Sequence, residues 1–252
     1  MTRAAREFVC GVHAVLAALE RGAGRAVRLF IARGRGGSPA ARAHALAEGA
    51  GVSVEAVAGG RLDDLAATRQ HQGLVAEVHP TPILDIEALL AAQPPEKPPI
   101  LLMDGVQDPR NLGALLRTAA ALGAGGAVWP KSGAAGLTPT VAKAAAGALE
   151  TLPLARVTNM ARAVTTVKEA GYWAVAGDPE GEGVLGEAEI PTPLALVVGA
   201  EGKGVRRLVR EKCDLRVRIP MGGGIVASLN VAVAAGILLF AALRPPLSPG
   251  PD

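Results

Sequence analysis

The sequence has few of the residues that a disulfide framework, a metal cluster or an aromatic-rich core requires. Of its 252 residues only Cys10 and Cys213 are cysteines, and aromatic residues make up 2%. Two distant cysteines cannot build a disulfide scaffold, and none of the four histidines forms a metal-ligand pair with either of them. We therefore expect no metal site.

Long apolar segments are also absent. The longest run, residues 231–243, is too short to span a bilayer and is expected to form a buried helix. The first residues lack the apolar stretch of a signal peptide. These features predict a cytoplasmic protein that does not associate with membranes.

Charge is nearly balanced overall but unevenly distributed. The formal net charge is +3, yet between Arg3 and Arg42 there are eight arginines and only two glutamates, Glu7 and Glu20. A local basic surplus is compatible with a nucleic acid as partner. An arginine-rich solvated surface without a nucleic-acid partner is an equally good interpretation of this feature alone.

Prolines divide the chain into two parts. Four prolines lie between residues 94 and 99, where they forbid regular structure. We expect a small α/β domain over residues 1–80, a stiff linker over 81–99, a larger domain over 100–245 and a disordered tail over 246–252. In the larger domain short apolar strands alternate with helices, which predicts a mostly parallel sheet covered by helices on both faces. Its expected helices include 141–148, 205–212 and a long one that begins at residue 229.

Three glycine-rich loops form a set, over residues 104–117, 198–204 and 219–230. Each follows a short apolar run and opens into a helical pattern, so each is expected at the carboxyl end of a strand. Ligands of open α/β sheets bind at that edge. The three loops therefore predict one composite binding site.

Two common phosphate-binding patterns are missing from these loops. Residues 199–204 lack the glycine spacing that precedes a Gly-Lys-Ser/Thr, and no Gly-x-Gly-x-x-Gly is followed by an acidic residue about twenty positions on. This argues against a nicotinamide-dependent enzyme. Arg117 is a candidate for binding phosphate, whereas a solvated helix position is its alternative. Ser228 and Asn230 precede an apolar helix, where one of them is expected to cap it.

Taken together, these residues resemble the motifs of the SpoU (TrmH-like) RNA 2′-O-ribose methyltransferases of the SPOUT superfamily. The likeness covers residues 98–243 and rests on Asn111 to Arg117, on Val198-Gly-Ala-Glu-Gly, and on Ile219-Pro-Met with Ser228-Leu-Asn. The first segment, with Gly11-Val-His and His71-Gln-Gly, is similar to the ribosomal-protein-like RNA-binding domain that precedes such catalytic domains.

The resemblance implies a C-terminal trefoil knot, a homodimer formed through the catalytic domain, and S-adenosylmethionine as methyl donor. It further implies that the catalytic surround consists of Asn111, Arg117, Glu201, Ser228 and Asn230. The residues implied to contact the methyl donor are Ala176, Gly177, Val198, Gly199, Ile219, Met221 and Leu229.

The implied activity is methylation of a ribose 2′-hydroxyl, and the subfamily that the chain resembles most acts on a guanosine of large-subunit (23S) ribosomal RNA. Two alternatives stay open. The first is a related methyltransferase that acts on transfer RNA or on another ribosomal nucleotide, including the antibiotic-resistance type. The second is a non-catalytic RNA-binding protein of ribosome assembly, which would have no chemical reason to keep the five catalytic residues together.

Overall fold

A computed structural model describes residues 7–34, 37–222 and 228–243 of the chain. The expected disordered tail, 246–252, lies outside these residues. So do Gly223 and Gly224, which belong to the third glycine-rich loop.

Two compact units make up the chain. The N-terminal unit comprises Met1–Pro82 and Leu137–Thr151, and the C-terminal unit comprises Ile83–Gly136 and Leu152–Asp252. This grouping differs from the expected division, because a segment from the middle of the second half belongs to the N-terminal unit. The helices of this segment pack against elements of the N-terminal unit, and the segment supplies Glu150 to a buried ion pair of that unit.

Arg25 and Glu150 form this ion pair, and both are almost fully buried. The Arg25 guanidinium donates to the two carboxylate oxygens of Glu150 at 2.5 and 2.7 Å and to Thr81 Oγ1 at 3.1 Å. Arg21 donates to the Glu150 backbone carbonyl. A buried charge is tolerated when it is paired and hydrogen-bonded in this way. The pair therefore ties Leu137–Thr151 to the N-terminal unit.

A four-stranded sheet forms the centre of the N-terminal unit, in the order β1-β4-β2-β3. Strands β2 and β3 are parallel, and β4 is antiparallel to β1 and to β2. The elements are β1 (Glu7–Cys10), α1 (Val12–Glu20), β2 (Ala26–Ala32), α2 (Ser38–Gly49), β3 (Ser53–Val57), α3 (Gly59–Ala66), β4 (Leu74–Val78), α6 (Pro139–Ala145) and α7 (Ala148–Thr151).

The two short motifs noted in the first segment meet at one end of this sheet. Gln72 has a positive φ of 53°, and its side-chain oxygen accepts a hydrogen bond from the Val12 backbone N–H at 3.0 Å, where α1 begins. His71 Nδ1 accepts from the Gly73 N–H at 2.9 Å, and its Nε2 lies 3.1 Å from Asp63 Oδ1. These contacts fix the turn that leads into β4.

A seven-stranded sheet forms the C-terminal unit, and all its strand pairs are parallel, in the order β7-β6-β5-β10-β8-β11-β9. This confirms the predicted α/β class with a mostly parallel sheet. The elements are α4 (Ile86–Ala91), β5 (Ile100–Asp104), α5 (Pro109–Ala121), β6 (Gly126–Pro130), β7 (Leu154–Val157), α8 (Met160–Glu169), β8 (Trp173–Gly177), β9 (Gly183–Val184), β10 (Leu194–Gly199), α9 (Arg207–Arg210), β11 (Leu215–Arg218) and α10 (Val231–Leu243).

Helix α4 lies within the stretch expected to be a linker. Asp85 caps it by accepting a hydrogen bond from the Ala88 N–H at 2.7 Å, and Ile86 and Leu89 are buried. Pro82 precedes the helix and Pro94 follows it, so no proline lies within α4. Proline therefore restricts a shorter part of the chain than 81–99.

Two further helices differ from expectation. The helix expected over 141–148 breaks at Ala146 and Gly147, both of which have positive φ, and α7 begins at Ala148. The helix expected over 205–212 is only the short α9, because Arg206 is extended, with a ψ of 144°, and is hydrogen-bonded to Asp104.

Helix α10 was expected to be buried, and this is wrong for one of its faces. Val233 is 51% exposed and Ile237 37% exposed, whereas Ala235, Leu238 and Leu239 are buried. Among the described residues no helix has the length and apolar character needed to cross a membrane. The trefoil knot stays a prediction.

The central strands β5 and β10 position the functional edge of the sheet. Both are buried along their whole length, and their last residues, Asp104 and Gly199, are register partners. Helix α5 starts close to this edge, where Asp108 accepts from the Arg110 N–H at 2.7 Å and Pro109 occupies the first turn. The loops that follow β5 and β10 therefore leave the sheet side by side.

Candidate active site

Asn230 joins the three glycine-rich loops. Its side-chain Nδ2 donates to Asn111 Oδ1 at 2.9 Å and to Glu201 Oε1 at 2.7 Å. Asn111 lies in the first turn of α5, Glu201 follows β10, and Asn230 precedes α10. The loops thus form one composite site, as their sequence pattern predicts. We refer to these three side chains as the Asn230 cluster.

The orientation of the Asn230 amide is set by the backbone. Its Oδ1 accepts a hydrogen bond from the Ala232 N–H at 2.9 Å, at the start of α10. Because this oxygen faces the helix, Nδ2 must face Asn111 and Glu201, and both of its hydrogens have acceptors there. Asn230 therefore caps the helix and organises the cluster at the same time.

A first cavity of about 570 Å³ opens beside the Asn230 cluster. Its lining includes six of the seven residues expected to contact a methyl donor, together with Glu201, Ser228 and Asn230 of the expected catalytic set. Ala176, the seventh, is fully buried within β8 and does not line it. The six that do are Gly177, Val198, Gly199, Ile219, Met221 and Leu229.

The loop after β10 requires glycine at its first position. A Cβ built on Gly199 would lie 1.9 Å from the Gly204 carbonyl carbon, because the loop folds back on itself. The Gly204 N–H donates to the Ala200 carbonyl at 2.8 Å, and Gly202 and Gly204 both have positive φ. A backbone without side chains can close so tightly, and this closure holds Glu201 over the sheet edge.

An ion pair that sequence reasoning missed anchors the same loop. The Asp104 side chain, which is completely buried, accepts from the Arg206 backbone N–H at 2.9 Å, from Nε at 2.9 Å and from Nη2 at 2.5 Å. The hydrogen bond to Asp104 is the main cause that raises the pKa of Arg206. The position of Asp104 at the end of a buried strand was the signal available in the sequence.

Asp178 is a further residue that sequence reasoning missed, and it lines the first cavity. Its carboxylate is 7% exposed and lies 3.3 Å from Arg210 Nη1 and 3.9 Å from Arg216 Nη1. Arg216 also pairs with Glu182. These charges brace the segment that follows β8, so the wall of the cavity that contains Gly177 is held by ion pairs.

Arg117 is placed apart from the other expected catalytic residues. It is exposed on α5, it does not line the first cavity, and no hydrogen bond or ion pair joins it to another described residue. Its neighbour Thr118 contacts α10, since a Cβ on Gly236 would lie 3.3 Å from Thr118 Cγ2. The guanidinium is therefore available to a ligand from outside the chain.

A second cavity of about 430 Å³ borders the Asn230 cluster, because Asn111 and Glu201 line it. It shares Ala200, Glu201, Gly204 and Val231 with the first cavity. Its remaining lining comes from the loop after β5, from the loop after β6 and from Lys203 and Arg206. The cluster thus stands between two adjacent spaces.

The cysteines supply no reactive thiolate. Burial, followed by the charge of Asp214, raises the pKa of Cys213 to about 12, and burial raises that of Cys10 as well. A thiol with so high a pKa is protonated at neutral pH and is a poor nucleophile. Within the described ranges no three His, Cys, Asp or Glu side chains group as metal ligands. The described polar groups of the site can orient ligands through hydrogen bonds and charge.

Two family models match the chain. Residues 98–240, more than half of the chain, match the SpoU rRNA methylase family, and residues 8–84 match the substrate-binding domain of RNA 2′-O ribose methyltransferases. The chain belongs to the SpoU rRNA methylase family. The Asn230 cluster and the first cavity both lie within the part that matches this family model.

Curated members of the SpoU family resemble the chain over nearly its full length. A 23S rRNA (guanosine-2′-O-)-methyltransferase, RlmB, from Shewanella oneidensis is 44% identical and covers 95% of this chain and 97% of its own. The RlmB of Vibrio parahaemolyticus is also 44% identical and covers 94% and 96%. The crystal structure of the SpoU methyltransferase AviRb from Streptomyces viridochromogenes, in complex with the cofactor AdoMet, is 29% identical with a TM-score of 0.79 and covers 96% and 91%.

Proposed function

We propose that the protein transfers a methyl group from S-adenosylmethionine to the ribose 2′-hydroxyl of a guanosine in 23S ribosomal RNA. The observation that carries the proposal is the Asn230 cluster. It connects the three glycine-rich loops by hydrogen bonds, and its residues line both cavities. The substrate is inferred from the RlmB relatives, which are 44% identical over almost the whole chain.

The first cavity suits S-adenosylmethionine. Its volume, about 570 Å³, lies in the range typical of small-molecule sites, which is roughly 300–1,000 Å³. Apolar residues such as Val198 and Leu229 can pack against a flat base, and the glycines expose backbone groups for hydrogen bonding. Bound there, the donor would supply a methyl group on a positively charged sulfur. The ribose oxygen would attack the methyl carbon in line with the carbon–sulfur bond, which breaks as the oxygen–carbon bond forms.

The residues of the Asn230 cluster are proposed to orient the ribose beside this cavity. Alignment of reacting groups is a large contribution that such a site can make. The guanidinium of Arg117 is a poor base, because an arginine side chain is not deprotonated in proteins. We assign it to the phosphate next to the target ribose and to stabilisation of charge on the hydroxyl oxygen, with the proton leaving to phosphate or water.

A homodimer formed through the C-terminal unit is also proposed. Val233 and Ile237 lie one turn apart on α10 and expose apolar surface that a second copy of the chain can cover. Helix α5, which carries Arg117, packs against α10. A dimer of this kind keeps Arg117 close to the interface, and the proposed substrate implies action in the cytoplasm.

The decisive experiment maps ribose methylation in 23S ribosomal RNA from cells with and without this protein. Loss of one 2′-O-methylguanosine, restored by the gene, supports the proposal. A lost mark in transfer RNA or at another ribosomal nucleotide would replace the substrate. Isothermal titration with S-adenosylmethionine tests the non-catalytic alternative, since a protein that only binds RNA gives no heat of donor binding.

A further inference from the structure

The second cavity contains polar groups that the Asn230 cluster does not use. Asp104 is not available to bind a ligand there, because both of its carboxylate oxygens accept hydrogen bonds from Arg206. Gln107, Ser132 and Lys203 line the cavity with exposed side chains that have no hydrogen bond to another described residue. These side chains can meet a ligand without breaking an existing contact.

Asp108 adds an acceptor with one oxygen available. Its Oδ1 accepts from the Arg110 N–H at 2.7 Å and so caps α5. No hydrogen bond to a described residue engages its Oδ2, and Asp108 lines the second cavity. The cavity thus combines a fixed carboxylate with the ammonium of Lys203.

We infer that the second cavity binds the base of the target nucleotide, and that Asp108 and Lys203 select guanine. The inference rests on the proposed function and names the substrate of the same site. Because the cavity shares a wall with the Asn230 cluster, a base held there leaves its ribose at the border with the first cavity. Single-stranded RNA is commonly read in this way, by hydrogen bonds to the Watson–Crick edge of an unstacked base.

Guanine is the base whose edge matches these groups. Its N1–H and N2–H₂ are adjacent donors that the carboxylate can meet through Oδ2 and the second lone pair of Oδ1, and O6 beside them accepts from an ammonium group. Adenine and cytosine present a ring nitrogen acceptor where guanine has N1–H, and that lone pair repels a carboxylate. Uracil has an N3–H donor, but a carbonyl oxygen stands where guanine has N2–H₂. Charged acceptors also form stronger hydrogen bonds than neutral ones. Asp108 is therefore a specificity-determining residue in this interpretation.

The first test compares Asp108→Asn with the unmodified protein on two RNA fragments that differ only in guanosine or inosine at the target. Inosine lacks the N2 amino group but keeps N1–H and O6. Asparagine is as good a helix cap as aspartate, so α5 should be retained. Asp85→Asn is the matched control, because Asp85 caps α4 through the same type of contact and does not line the cavity.

The unmodified protein is expected to prefer guanosine over inosine by about 10-fold or more in kcat/KM. Asp108→Asn should lower kcat/KM on guanosine by roughly 10- to 100-fold and bring the guanosine-to-inosine ratio close to one. Its affinity for S-adenosylmethionine, measured by calorimetry, and the kinetics of Asp85→Asn should match those of the unmodified protein. An unchanged ratio in Asp108→Asn would overturn the inference.

A second variant tests the cavity itself. Ser132→Trp fills the space and should weaken binding of the guanosine fragment by at least 10-fold while donor affinity is retained. Ser132→Ala removes only the hydroxyl and should weaken RNA binding far less than Ser132→Trp does. Unimpaired RNA binding by Ser132→Trp would exclude the cavity as the base site. If the unmodified protein methylates no guanosine fragment, the proposed function fails, whereas an unchanged base ratio in Asp108→Asn refutes only the inference.

Discussion

At the residue scale, Asn230 combines two separate tasks. One amide caps α10 and bonds to Asn111 and Glu201, which lie on the two other loops. Its Oδ1 has a backbone donor and its Nδ2 has two acceptors, so a substitution can remove these tasks separately.

Asn230→Ala should lower kcat by about 100-fold, because a small misplacement of reacting groups has effects of this size. The lost helix cap should reduce stability by about 1 kcal/mol. Asn230→Asp keeps an oxygen for the Ala232 N–H but places a carboxylate beside Glu201, so it should lose activity with a smaller change in the helix. Single-turnover kinetics and thermal denaturation measure both effects. Near-normal turnover by Asn230→Ala would contradict this role.

At the element scale, the loop after β10 depends on close approach of its own backbone. Gly199 opens the loop, and the Asp104–Arg206 pair closes it. The sheet edge therefore presents Glu201 from a turn that is fixed at both ends.

Gly199→Ala should disturb this turn, since the added methyl would lie 1.9 Å from the Gly204 backbone. Overpacking of this kind costs roughly 1–3 kcal/mol, which corresponds to a fall in Tm of about 2–12 °C for a chain of this size. Binding of S-adenosylmethionine should weaken as well. Gly136→Ala is the control, because a Cβ there meets nothing within 4 Å. Equal Tm and donor affinity for the two variants would show that the turn tolerates a side chain.

The same loops show what the sequence could predict and what it could not. Periodicity located most of the strands and helices, and glycine placement indicated one composite site, because both signals are local. The pair Asp104–Arg206 joins residues 102 positions apart, and no local pattern specifies such a partner. For the same reason the extended Arg206 was read as part of a helix. The exposure of Arg117 depends on packing and could not be deduced from its spacing to Asn111.

At the scale of the whole molecule, the exposed apolar stripe of α10 bears on assembly. The helix consists entirely of apolar and small residues, and Val233 is half exposed on it. Such a surface is favourable in an oligomer, where a second copy removes it from water.

Val233→Glu should therefore convert the proposed dimer into a monomer, because a charge at a dimer interface must be desolvated. Leu208→Glu is the matched control, since Leu208 is a 60% exposed apolar residue on α9. Sedimentation velocity measures both variants together with the unmodified protein. A monomeric unmodified protein, or a dimeric Val233→Glu, would contradict the assignment of this face.

The path of the chain through its two units limits how the protein can be dissected. The N-terminal unit takes α6 and α7 from beyond residue 136, so a single cut in the proline segment cannot release it intact. A fragment that ends at Pro82 would keep the sequestered guanidinium of Arg25 but lose the carboxylate of Glu150. Removing one member of a buried ion pair costs about 3–5 kcal/mol. Fragments meant to isolate RNA recognition from catalysis must therefore graft Leu137–Thr151 back onto the first 82 residues.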